Sequence, residues 1–218
     1  MKRLGLILSL LASTCMYPMD KYSDRQCNSI ILDYDDTRHK DDLKKLIEEN
    51  KSLLFARPDY CIDTMLKLKT VTPHIEESRG KLKIKVIYED CVDNRSKCDL
   101  EAFIAYSFAD QSIVDGHLLA VKQACRRKGY AKRLIWAAID DGLLHNASRW
   151  RASTRKMNTG APELYAWIGA WYKKNYPSMI FKSEETKVPL SHDPLATIDI
   201  IRYELILPTQ ENKQEDPK

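Results

Sequence analysis

A strand, a basic turn holding one glycine and the start of a helix follow one another in the middle of the chain. This succession constrains the fold more than any other part of the sequence. Gly116 to Val121 is an apolar, strand-like run. Tyr130 to Leu144 places Ala131, Leu134, Ile135, Ala138 and Gly142 on one helical face. Between them lies Lys122-Gln123-Ala124-Cys125-Arg126-Arg127-Lys128-Gly129. The first amides of a helix have no intrahelical acceptor and sit at the positive end of its dipole. An anion placed there meets several donors at once. Gly129 lets the backbone approach closely or take φ > 0. Arg126, Arg127, Lys128 and Lys132 add positive charge around the same point. The pattern is neither the three-glycine dinucleotide fingerprint nor the Gly-Lys-Ser/Thr of a P-loop.

The spacing Arg126-x-x-Gly129-x-Ala131 resembles the Gln/Arg-x-x-Gly-x-Gly/Ala pyrophosphate loop of the GNAT superfamily of acetyl-CoA-dependent N-acetyltransferases. In that family an apolar strand ends in a Val five residues before the loop, as Val121 stands here before Arg126. A later strand is followed there by Asn-x-x-Ala-x-x-x-Tyr, matched by Asn158, Ala161 and Tyr165. The resemblance spans roughly residues 28–207. The chain departs from it where Gly169 is followed by Ala170 rather than Phe, and Pro162 sits just inside the fourth helical run, where only the first turn tolerates it.

The resemblance implies an α/β (α+β) fold: a mixed, mostly antiparallel central sheet of about six to seven strands flanked by helices, with strands 4 and 5 splayed. The pantetheine arm of acetyl-CoA, the co-substrate, lies in that splay and pairs with the backbone of Leu119 and Val121. The pyrophosphate lies against Arg126, Arg127, Lys128, Gly129, Tyr130, Ala131 and Lys132. Asn158 bonds the pantetheine arm or caps its helix. Tyr165 protonates the leaving thiolate. Asp115, six residues before Val121, stands where histone-type members carry a Glu and acts as base or positions a water. The implied reaction is N-acetylation of an amine acceptor, small molecule or protein, by direct attack in a ternary complex, with no metal. An exported, catalytically degenerate domain that only binds a ligand or protein is the alternative.

Chemistry supports the same residue types. Acyl transfer to an amine requires loss of an amine proton, stabilisation of an oxyanion and protonation of the thiolate. Holding two substrates in line supplies much of the rate without a covalent nucleophile. His117 shares a strand face with Asp115, and histidine as a type titrates near neutrality. The donor to the oxyanion is the Leu119 or Val121 N–H. Trp150, Trp167, Trp171, Tyr172 and Tyr176 either line an acceptor pocket or pack as core. Arg149 and Arg151 share one strand face and either bind an acidic group or face solvent.

The 218 residues favour one domain. With 44% hydrophobic and 30% charged residues and a net charge of +4, the composition is that of an ordinary globular chain. It lacks the concentrated basic face of a nucleic-acid binder. Residues 1–18 are laid out like a secretory signal: Met1-Lys2-Arg3, then an apolar run to Ala12, then small residues, too short for a membrane span. An apolar element packed on the domain is the other reading of that segment. Export to periplasm or medium sits uneasily with acetyl-CoA, a cytoplasmic metabolite. Cys91 and Cys98 bracket a polar loop and are either a hairpin disulfide or two thiols. Residues 208–218 read as a disordered tail.

Along the chain, strands are expected at Ser29–Tyr34, Leu82–Tyr88, Ala102–Phe108, Ile113–Val121, Arg149–Thr154, Met179–Phe181 and Ile198–Leu207. Helices are expected at Asp41–Leu54, capped by Asp36-Thr37, after Pro58, at Tyr130–Leu144 and at Ala161–Lys174.

Overall fold

The computed structural model describes residues 29–54, 82–89, 99–109, 112–190 and 193–207. The signal-like segment, the helix expected after Pro58, the Cys91–Cys98 loop and the C-terminal tail lie outside the described residues. In order the elements are β1 (Ser29–Asp33), α1 (Asp36–Leu54), β2 (Lys83–Glu89), β3 (Leu100–Ala109), β4 (Ile113–Val121), α2 (Tyr130–Leu144), β5 (Arg149–Arg155), α3 (Gly160–Asn175), β6 (Ile180–Leu190) and β7 (Asp193–Ile206). A short 3-10 turn at Gln123–Cys125 precedes α2.

The strands form one sheet in the order β1-β2-β3-β4-β5-β7-β6. β4 and β5 run parallel and every other neighbouring pair is antiparallel. This is the mixed, mostly antiparallel sheet that the motif order implies. Helices cover both faces. Leu43, Leu46 and Ile47 of α1 pack on Val86, Phe103 and Ala105. On the other face Leu134, Ile135 and Ile139 of α2 and Ile168 of α3 pack with Tyr106, Val114 and Trp150. With cores on both sides, Ala102–Tyr106 of β3 is buried without alternation. Each fully buried Leu or Ile contributes roughly 1.5–3 kcal/mol over leaving it exposed. Asp141 ties α2 to the sheet, accepting from Lys83 Nζ at 2.9 Å and Tyr106 Oη at 2.8 Å.

Three local features differ from the spacing-based expectation. α1 begins at Asp36, so Asp36 and Thr37 are inside it. The cap is Asp35, whose carboxylate accepts the amides of Thr37 at 2.8 Å and Arg38 at 3.1 Å. Bonds from the Thr37 hydroxyl and amide hold that carboxyl below its usual range. Second, β6 and β7 form a long hairpin of which only the base, Met179–Phe181 and Ile198–Leu207, was legible. Lys182-Ser183-Glu184-Glu185 is exposed on both faces, so no apolar alternation marks it as strand. Third, a Phe does meet Gly169, but it comes from β6. A Cβ at Gly169 would lie 2.4 Å from the Phe181 ring, so α3 touches the sheet there.

β4 carries a bulge. Ala105 pairs with Leu118 and Tyr106 with Gly116, which leaves His117 as the extra residue. Before it, Val114 faces α2. After it, Leu118 and Ala120 belong to the α1 side, and Leu119 and Val121 to the α2 side. The pairing of β4 with β5 covers only Ile113–Gly116 against Arg149–Ala152. Beyond Gly116 the two strands part. No helix among the described residues is long and apolar enough to cross a membrane.

Candidate active site

The basic turn leaves β4 through Lys122, whose amide bonds the Glu101 carbonyl at 2.8 Å. Cys125 is buried below it and its thiol donates to the Glu101 carboxylate. Burial first, and that carboxylate second, push the thiol up to about 11. Nothing in the residue spacing revealed this anchor, because Glu101 and Cys125 meet only through the fold. Gly129 is the N-cap of α2 at φ +86°, and no side chain caps the helix. A Cβ there would meet nothing within 4 Å, so the left-handed backbone, not crowding, demands glycine. Arg127 is also left-handed, at φ 66°. The first bond of the helix runs from Arg133 N to Gly129 O at 3.1 Å. The turn thus delivers an uncapped helix N-terminus to the surface.

The basic side chains around it differ in placement. Arg126 reaches Asn50 of α1 at 3.0 Å, and its Nε lies 3.5 Å from the Val121 carbonyl. Arg127 pairs with Glu163 of α3 at 3.1 Å, both exposed. Lys128 Nζ lies 3.9 Å from Cys125 Sγ. Lys132 Nζ sits 3.4 Å over the Trp167 ring, and burial lowers its pKa. Tyr130 points into the core, 1% exposed, and Ala131 is half-buried, so both offer the site backbone rather than side chain.

Where β4 and β5 part, a cleft of about 320 Å³ opens. The sheet divides its lining in two. On the α2/α3 side lie Gly116, Leu119, Trp150, Asn158, Ala161 and Tyr165. On the α1 side lie Leu54, His117, Leu118, Ser153 and Arg155. The hairpin adds Val188, Ile198 and Ile200, with Ile200 paired opposite Arg155 and Val188 opposite Ile198. Three motif residues far apart in sequence from Leu119, namely Asn158, Ala161 and Tyr165, meet it around one space.

Tyr165 is 6% exposed, stacked on Tyr203 at 4.2 Å and tilted against Trp150 at 5.6 Å. Burial, with Tyr203 second, raises its pKa well above that of an ordinary phenol, so it keeps its proton at neutral pH. The Asn158 carbonyl accepts from the Ala161 amide at 3.2 Å at the head of α3. The Trp150 indole N–H is fully buried at the cleft wall with no acceptor among the described residues. Asp115 is held by Arg151 through two bonds, Nε to Oδ1 at 2.9 Å and a second guanidinium nitrogen to Oδ2 at 3.1 Å, and is not part of the cleft lining. His117 is in the lining, its Nε2 2.8 Å from the Oγ of buried Ser107. Arg149 lies 3.6 Å from Glu204. Of the aromatic group, Trp167, Trp171, Tyr172 and Tyr176 pack together beside Trp136, and only Trp150 reaches the cleft. Among the described residues no group of three His, Cys, Asp or Glu is placed to hold a metal ion.

Residues 86–170 match the model of the acetyltransferase (GNAT) family. Several solved structures share the fold. An N-acetyltransferase from Staphylococcus aureus Mu50 superposes with a TM-score of 0.58 at 14% identity, covering 83% of this chain and 99% of that one. The ribosomal-protein-S18-alanine N-acetyltransferase from Escherichia coli gives 0.54 at 14% identity, covering 86% and 99%. A spermidine N-acetyltransferase from Vibrio cholerae, solved with CoA and spermine, gives 0.56 at 15% identity, covering 82% and 95%. No curated protein matches the chain in sequence. At these identities the superpositions speak for the fold alone, and the family model adds that residues 86–170, the segment holding the turn, the parted strands and Tyr165, are similar to the acetyltransferase (GNAT) family.

Proposed function

We propose that the chain is an acetyl-CoA-dependent N-acetyltransferase that transfers acetyl directly to an amine. The observation that carries this reading is the cleft itself. It opens where β4 and β5 part, and Leu119, Asn158, Ala161 and Tyr165 converge on it. The uncapped start of α2 and its left-handed Gly129 suit a diphosphate. The buried Trp150 N–H, lacking an acceptor among the described residues, suits a carbonyl or sulfur in the cleft.

His117 takes the amine proton, directly or through one water, and Ser107 orients its ring. Among the described residues the β5-facing edge of β4 beyond Gly116 has no strand partner, so the Leu119–Val121 backbone pairs with the amide arm of the thioester and donates to the oxyanion. The amine nitrogen bonds the acetyl carbon and the carbon–sulfur bond breaks. Tyr165 gives its proton to the departing sulfur and regains one from solvent. The net products are the amide, the free thiol and one proton from the ammonium. Asp115, expected as the base, serves here through its grip on Arg151 at the point where the strands separate.

Titration calorimetry with acetyl-CoA, followed by thiol release with a panel of amines, tests the proposal. Binding with amine-dependent thiol release is the expected result. Absence of binding removes it.

A further inference from the structure

A buried carboxamide on α1 bears on how the basic turn is kept ready for its ligand, on the premise that the chain binds acetyl-CoA as just proposed. Asn50 is 4% exposed. Its Nδ2 donates to the Leu46 carbonyl, one turn earlier in α1, at 2.9 Å. That bond fixes which way the amide faces, and it leaves Oδ1 to accept from a guanidinium nitrogen of Arg126 at 3.0 Å. The Arg126 Nε lies 3.5 Å from the Val121 carbonyl at the end of β4. One guanidinium therefore spans α1 and β4. The preceding residue, Cys125, fastens the turn to β3 through Glu101. The backbone just beyond these two anchors is strained. Arg127 is left-handed at φ 66° without being glycine, and Gly129 follows at φ +86°. Such a conformation persists only where its surroundings over-determine it.

In the sequence Arg126 reads as a charge for the diphosphate. In the fold its guanidinium meets a buried amide and a strand carbonyl, a pair of contacts that needs the planar fork of an arginine. We infer that Asn50 is a positioning residue for the diphosphate turn: by holding the Arg126 guanidinium it fixes Arg126–Gly129 in the shape that presents the first amides of α2. Arg126 then serves by where it places the backbone, not by its charge. A turn ordered before the ligand arrives spares binding the cost of ordering it. Asn50 is not part of the cleft lining, so its effect falls on cofactor affinity and not on the chemical step.

The test measures acetyl-CoA affinity by calorimetry on the full chain and its variants, and kcat at saturating acetyl-CoA with an amine that the parent acetylates. Asn50→Leu is close in volume and removes the acceptor. It should bind about tenfold more weakly, the scale of one hydrogen bond to a charged group. Its kcat should stay within about twofold of the parent, as for a loss of uniform binding. Asn50→Asp keeps an acceptor for Arg126 and should bind within about threefold of the parent. Arg126→Lys keeps the charge and loses the fork, so it should match Asn50→Leu. The double variant should bind no more weakly than either single one, because both break the same contact. Melting temperatures verify folding, and Arg126→Lys, at an exposed position, decides the matter if the buried substitution does not fold. Equal or tighter binding in Asn50→Leu would mean that the guanidinium serves the diphosphate directly, and would overturn the inference. So would full affinity in Arg126→Lys, an Asn50→Asp as weak as Asn50→Leu, losses that multiply in the double variant, or a loss confined to kcat. A parent chain that does not bind acetyl-CoA at all is a distinct result that removes the premise.

Discussion

Arg151 grips Asp115 with two parallel hydrogen bonds, at 2.9 and 3.1 Å, across the last stretch where β4 and β5 still run side by side. Asp115 lies outside the cleft lining, and His117, two residues on along the same strand face, is the group that reaches the cleft. His117→Gln should therefore lower kcat about 100-fold, in the range for losing a general base. Asp115→Asn should instead lower stability by about 1 kcal/mol, the scale of a partly exposed ion pair. Steady-state kinetics with a pH profile, together with urea melts, separate the two. A loss of the acidic limb of the profile in Asp115→Asn would return the base to Asp115.

Gly129 sets the geometry of the α2 N-terminus through its φ of +86°. Gly129→Ala should weaken acetyl-CoA binding through strain of about 1–2 kcal/mol at a left-handed position. Gly129→Glu should abolish binding by placing a carboxylate against a diphosphate. Calorimetry measures both, and equal affinity in the Glu variant would remove the diphosphate from this turn.

Tyr165→Phe keeps the ring stacked between Trp150 and Tyr203 and removes only the hydroxyl. Turnover should fall roughly 100-fold with acetyl-CoA affinity intact. Equal turnover would make Tyr165 a packing residue.

Asp140 on α2 is half-buried, and burial pushes its carboxyl up to about 6 from 3.8. The folded state therefore holds the proton more tightly than the unfolded chain, and stability falls as pH rises from about 4 to about 6. Two pH units correspond to about 3 kcal/mol, which partial exposure reduces to about 1 kcal/mol. Asp140→Asn should gain that amount at pH 7, and the gain should vanish below about pH 4. Melts at both pH values check the sign.

The sequence showed the turn, β4 and α2 clearly because each is a local pattern: an apolar run, a lone Gly among cations and a 3.6-residue stripe. Asn158, Ala161 and Tyr165 were legible as a motif for the same reason. The hold of Arg151 on Asp115, the Glu101–Cys125 contact and Arg155 at the cleft wall were not, because each depends on the register of strands distant in the chain. The hairpin beyond Phe181 was hidden by its exposure: a strand wet on both faces has the composition of a loop.

The extra residue at His117 makes the strand's length matter more than most of its letters. Deleting His117 itself would close the bulge, keep Leu118 opposite Ala105 and leave Leu119 and Val121 in the layer they now occupy. Deleting a residue from the regular stretch after it would instead carry the following side chains through the plane of the sheet, thinning one core and overfilling the other. The fold should then survive the loss of one codon at His117 where it does not survive the loss of one at Leu119.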